Sequence, residues 1–96
     1  MESISELLQN HVESTTKKLV DNPEEVKVAV AISTKSIIVQ IKVAKSDCGK
    51  VIGKQGRTIE AMKIITLAIK NTHFPDDARR VSLEILEDES SNFGAS

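Results

Sequence analysis

The sequence predicts an α+β domain in which helices pack on one face of a three-stranded mixed sheet, in the order helix, strand, strand, helix, helix, strand. Three observations carry that expectation. Apolar residues recur at three-and-four spacing through two long segments, 3–20 and 57–72. They alternate with period two through three shorter ones, 26–33, 36–43 and 79–86. Two strands precede the second helical region and one follows it, so the last strand must return across the helical layer, which makes the sheet mixed.

Each element has its own local cause. In the first helix Ile4, Leu7, Leu8, Val12, Leu19 and Val20 form the apolar stripe, with Thr15 continuing it. Ser3 or Ser5 can cap its start. Asp21-Asn22-Pro23 ends it, because proline disfavours helix in the residue before it. His11, one turn beyond Leu7, borders the apolar face. Val26, Val28, Val30 and Ile32 give the first strand one apolar face, and Ile37, Val39, Ile41 and Val43 do the same for the second. Ser33-Thr34-Lys35-Ser36 makes the turn between them. Ser46 or Asp47 caps a short helix over 47–52, and a glycine-bounded loop follows. The long helix is apolar at Ile59, Met62, Ile65 and Ile69, with Ile64, Leu67 and Ala68 widening the stripe. Pro75-Asp76-Asp77 is loop, and Val81, Leu83 and Ile85 face inward from the last strand. One domain spans 1–86. Residues 87–96, acidic and then small and polar, are expected to form a disordered tail.

Composition narrows the function. Ninety-six residues, 40% apolar and 28% charged, suffice for one core and not two. No apolar run approaches the ~18 residues of a membrane span. The acidic, amphipathic N-terminus is not a signal peptide, and the expected location is the cytoplasm. A single cysteine, Cys48, excludes an internal disulfide and suits a reducing compartment. His11, His73 and Cys48 are too scattered for a metal site, and no cofactor is expected. No nucleophile, base or metal cluster stands at a recognisable spacing, so the chain is not expected to be an enzyme.

The net charge is only −1, but it is unevenly spread. Residues 1–26 hold two lysines against six acids, and 84–96 hold four acids and no base. Residues 42–63 hold six bases (Lys42, Lys45, Lys50, Lys54, Arg57 and Lys63) against Asp47 and Glu60. Positive charge therefore gathers around Val51-Ile52-Gly53-Lys54-Gln55-Gly56-Arg57-Thr58-Ile59-Glu60. Glycines let the backbone turn and let another backbone come close. A helix starting at Arg57 points its free N–H groups and positive dipole end at the same spot, which suits a phosphate. A nucleotide-binding P-loop is excluded, since only three residues separate Gly49 from Gly53 and Gln55 stands where a hydroxyl would hold magnesium. The dinucleotide fingerprint fails because position 51 is valine. The bland alternative is a tight turn between two helices.

Ile52-Gly53-Lys54-Gln55-Gly56 followed by a helix is similar to the I-G-x-x-G signature of KH domains, whose G-x-x-G loop clamps a nucleic-acid backbone. Together with Leu19-Val20-Asp21-Asn22-Pro23-Glu24-Glu25-Val26, Val43-Ala44, Gly49-Lys50-Val51 and Arg80-Val81, it makes the chain resemble the small bacterial single-KH proteins of the KhpA family from about Leu7 to Ile85. The resemblance implies a type II KH arrangement that binds about four nucleotides of single-stranded RNA. Gly53 and Gly56 would admit the sugar-phosphate backbone, with Lys54 and Gln55 between them and Lys50 and Arg57 flanking. Ile52 would line the apolar floor, and Ile38 to Ile41 would form the opposing strand edge. It further implies a post-transcriptional or RNA-chaperone role, self-association, and pairing with a larger RNA-binding protein of the KhpB (Jag) family.

Two features of the residues bear on that reading. The chain has no Trp or Tyr, and Phe74 and Phe93 lie outside the strands. It cannot build the aromatic platforms, worth ~1–3 kcal/mol per base, on which RRM and OB-fold binders rely. The long helix is apolar on more than one face, with Ile64 and Leu67 pointing outward. A wide core stripe and a homodimer surface explain this equally, and the alternative function is a protein-interaction module with residual RNA binding.

Overall fold

The computed structural model describes residues 2–86; the expected tail from Glu87 lies outside them. The elements are α1 (Ile4–Leu19), β1 (Lys27–Ile32), β2 (Ser36–Lys42), α2 (Cys48–Ile52), α3 (Arg57–His73) and β3 (Arg80–Leu86). Single 3₁₀ turns at Pro23–Glu25, Lys45–Asp47 and Lys54–Gly56 lie between them. β2 is central, antiparallel to β1 and parallel to β3, so the sheet is mixed as expected.

Local chemistry sets the element ends. Ser3, not Ser5, caps α1 through a reciprocal box: the Glu6 N–H donates to Ser3 Oγ at 3.2 Å and the Ser3 N–H donates to Glu6 Oε1 at 3.0 Å. The β1–β2 turn closes without glycine because the Ser33 N–H donates to the Ser36 carbonyl (2.8 Å) and Ser33 Oγ accepts the Ser36 N–H (3.2 Å).

α1 covers β1 and β2, α3 covers β3 and leans on α1, and α2 packs on α3. Leu8 and Val12 from α1, Ile37, Val39 and Ile41 from β2, and Val51 from α2 are completely buried. Each contributes on the order of 1.5–3 kcal/mol through lost apolar surface. The alternate residues of β2, Ile38, Gln40 and Lys42, lie on the other face. Gln9 Nε2 ties α1 to the sheet by donating to the Val28 carbonyl at 2.9 Å. His11 is half-buried at the margin of α1, and burial holds its imidazole below the ordinary pKa.

Three packing expectations need correction. The buried threonine of α1 is Thr16, one residue beyond Thr15. Ile32 runs past the core and is 43% exposed. Most consequentially, α3 is rotated from the orientation its apolar stripe implies. Its buried residues are Met62, Thr66 and Lys70, whereas Ile65 is 53% exposed and Ile64 58%. Polar residues can face inward here because each is satisfied. Thr66 Oγ1 donates to the Met62 carbonyl at 2.7 Å. Lys70 Nζ donates to the Asp77 carbonyl and lies 3.9 Å from Asp77 Oδ1. Asp77 in turn accepts from the Arg79 guanidinium and, at 3.0 Å, from the Arg79 N–H. The rotation leaves Ile64 and Ile65 on the surface and Ile59 and Ile69 half-buried.

Candidate nucleic-acid interface

α2 has five residues, and the alternation at its end decides what the loop presents. Val51 is fully buried and anchors the helix, while the next residue, Ile52, is 39% exposed. The chain then turns sharply. Gly53 has φ 78° and ψ 171°, a region open to glycine alone, and Gln55 and Gly56 are left-handed at φ 57° and 75°. The Gly53 N–H donates to the Gly49 carbonyl at 2.8 Å, and the Gly56 N–H donates to the Gly53 carbonyl at 3.1 Å. Gly53 lies so close to the start of α3 that a Cβ there would overlap the Thr58 side chain. This is the close backbone approach that a glycine permits.

Three residues in four at positive φ turn the chain sharply, and Lys54 and Gln55 are exposed in the turn. α3 begins at Arg57, as expected, with Gly56 at its N-cap position and no side-chain cap. The Arg57 N–H is taken by the Lys54 carbonyl, and the positive dipole end of α3 faces the loop without a capping side chain.

The cations around the loop are not equivalent. Lys50 lies 3.3 Å from Asp21 Oδ2, and Lys63 lies 3.8 Å from Glu60. Lys54 and Arg57 are exposed and make no ion pair among the described residues. Of these four cations, Lys54 and Arg57 are thus the two without an ion pair among the described residues, and Lys50 is shared with Asp21.

All seven candidate residues, Lys50, Ile52, Gly53, Lys54, Gln55, Gly56 and Arg57, fall on one helix–loop–helix unit. The opposing strand edge does not fall where expected. Ile38 to Ile41 belong to β2, whose two edges are both consumed by β1 and β3. The edge strand under α3 is β3, Arg80–Leu86, and its outer N–H and C=O groups have no strand partner among the described residues.

Asp47 is a further participant that its sequence position disguises. Aspartate before a helix reads as an N-cap, yet Asp47 makes no hydrogen bond to α2. Its carboxylate is buried and accepts hydrogen bonds from the turn after α1. Burial pushes its pKa up. The Asn22 side chain, the Asp21 and Asn22 backbone N–H groups and the nearby Lys50 charge outweigh burial and hold it below the ordinary carboxylate range. The available sequence signal was Asp21-Asn22-Pro23, a helix-ending turn whose N–H groups need an acceptor.

Residues 9–85 match the KH-domain model described as KhpA/KhpB, KH domain. The RNA-binding protein KhpA of Chlamydia pneumoniae is 44% identical over 72 residues, which cover 75% of this chain and 87% of that protein. The RNA-binding protein KhpA of Aquifex aeolicus is 41% identical over 80 residues, 83% of this chain and 96% of its own. No solved structure matches. The helix, two strands, helix, G-x-x-G, helix, strand order and the mixed sheet are the type II form of the KH fold. The matched family is not enzymatic. By the extent of both matches, this chain belongs to the KhpA/KhpB KH-domain family.

Proposed function

We propose that the protein binds RNA and clamps a short single strand at the Gly53–Gly56 loop. The observation that carries this reading is a sharply turned glycine loop at a helix start with no side-chain cap, where Lys54 and Arg57 make no ion pair among the described residues. The RNA backbone lies over Gly53 and Gly56, and Lys54 and Arg57 neutralise phosphates. Gln55 donates a neutral hydrogen bond, and Lys50 joins by leaving Asp21. Bases lie against Ile52, with the open edge of β3 offering backbone hydrogen bonds to their edges. The names of the relatives, RNA-binding proteins all, support the ligand class.

A lone site with three or four phosphate contacts and no stacking platform binds weakly at physiological salt. Pairing remedies that by avidity. The exposed face of α3 supports a homodimer and, as a further reading, assembly with a KhpB (Jag)-like RNA-binding protein in the cytoplasm, in post-transcriptional regulation or RNA chaperoning. That same face is what favours a pure protein-interaction module as the second reading.

The two readings part at the loop. Lys54→Asp with Gln55→Asp puts two negative charges where a phosphate must sit. Both positions are exposed, and aspartate tolerates the left-handed backbone of position 55 better than glutamine does. The expected result is an RNA affinity reduced at least about ten-fold, with a stability change within about 0.5 kcal/mol for each exposed substitution. Undiminished RNA binding would refute the clamp.

A further inference from the structure

Asp47 is the one fully buried acidic side chain among the described residues. It stands at the N-cap position of α2 and leaves that helix uncapped. Both its oxygens turn to the segment after α1. Oδ1 accepts the Asp21 N–H at 3.2 Å, and Oδ2 accepts the Asn22 N–H and the Asn22 Nδ2–H, each at 3.0 Å. One turn further along, Lys50 returns the contact by pairing with Asp21 at 3.3 Å. Four interactions therefore join the start of α2 to a turn some 25 residues earlier in the chain.

α2 needs such a tether. Five residues span only about 7.5 Å, too short for helical hydrogen bonds to hold it together alone. Val51 holds its buried side, and Asp47 holds its beginning. The loop that follows inherits its position from those two anchors.

Building on the clamp reading, we propose that Asp47 is a positioning residue for the phosphate site. It touches no RNA; it holds α2 against the Asp21–Asn22 turn so that the G-x-x-G backbone stands in its binding geometry before RNA arrives. A loop that is competent only part of the time loses affinity by that fraction. Positioning and simple electrostatics differ here in sign. Asp47 is a negative charge on the helix that leads to an anion site, so an effect through charge alone would make its removal tighten RNA binding. Loss of positioning weakens it.

The test uses Asp47→Asn and Asn22→Ala in the full chain, with a labelled oligouridine strand as the probe. Binding is measured at a temperature where circular dichroism shows each variant fully folded, and amide hydrogen exchange is followed in parallel. In either amide orientation asparagine sets a donor against the Asp21 N–H or the Asn22 donors, so Asp47→Asn is expected to weaken binding about five-fold or more. Exchange should quicken through 48–56 while the central amides of β2 keep their protection. Asn22→Ala removes one of the three hydrogen bonds, keeps the charge, and is expected to cost about two-fold. Unchanged or tighter binding by folded Asp47→Asn overturns the proposal. If that variant does not fold, Asn22→Ala decides: weaker binding with faster exchange in α2 supports it, and unchanged affinity overturns it. Lys54→Asp with Gln55→Asp is the control, and retained binding there would bring down the clamp and this proposal together.

Discussion

A Cβ at Gly53 would lie 2.8 Å from the Thr58 nitrogen as well as overlapping its side chain, in a backbone conformation that other residues do not adopt. A Cβ at Gly56 would meet nothing within 4 Å, although φ of 75° still disfavours it. In sequence the two glycines of the loop look alike; in space only one is also a packing contact. Gly56→Ala is expected to cost about 1–2 kcal/mol, the ordinary left-handed penalty. Gly53→Ala should cost clearly more, because the start of α3 must shift to admit the methyl group. Urea denaturation of both variants checks the order, and equal or reversed losses would contradict this account of the loop. Residue-level reading located the loop and its cations, but not which cation was already engaged. The Asp21 partner of Lys50 lies 29 residues away in sequence, and only the fold brings the two together.

At the scale of elements, boundaries were legible and orientation was not. The capping serine, the helix-ending proline and the two alternating strands each signal locally, and each element formed where its signal lay. The facing of α3 was misread because Thr66 and Lys70 count as outward residues until their partners are known. Thr66 satisfies itself one turn back, and Lys70 finds its acceptor in the turn before β3. That turn is expected to make the α3–β3 connection sensitive to acid. The side-chain hydrogen bond from Arg79 and the Arg79 N–H hold the Asp77 carboxyl well below its usual range against the opposing effect of burial, with the Arg79 and Lys70 charges adding to them. A carboxylate depressed in the folded state stabilises above its unfolded pKa of about 3.9 and loses that contribution as pH falls through the folded value. Unfolding free energy should therefore decline below about pH 4. Asp77→Asn should be less stable at neutral pH and show a shallower acid decline. An acid limb identical to that of the unsubstituted protein would mean that Asp77 is not a source of it.

At the scale of the whole molecule, fold class, element order and the glycine loop could be read from the chain, since each rests on contiguous pattern. The strand edge facing the helical layer could not. Choosing β3 over β2 requires knowing that β2 is central, and that follows from pairing between segments some 40 residues apart. The rotation of α3 also leaves a surface that composition alone does not locate. Ile64 and Ile65 lie on it, 58% and 53% exposed, and Leu67, one turn beyond Ile64, is 37% exposed. A two-fold dimer is the commonest way to cover such a face. Ile64→Lys and Ile65→Lys should each give a folded monomer with reduced RNA avidity, since exposed substitutions seldom cost more than about 0.5 kcal/mol. Sedimentation showing the unsubstituted chain monomeric at high micromolar concentration would contradict the dimer.

The clamp is tested most directly by the salt dependence of RNA binding. Each phosphate neutralised on a single strand contributes a slope of about −0.7 in log K against log salt, so three or four contacts per site give roughly −2 to −3. Arg57 makes no ion pair among the described residues and stands at the first position of α3. Arg57→Ala should flatten the slope by about 0.7 and weaken binding to all sequences alike. A slope near zero in the unsubstituted protein, or one unchanged by Arg57→Ala, would contradict a phosphate clamp at this loop.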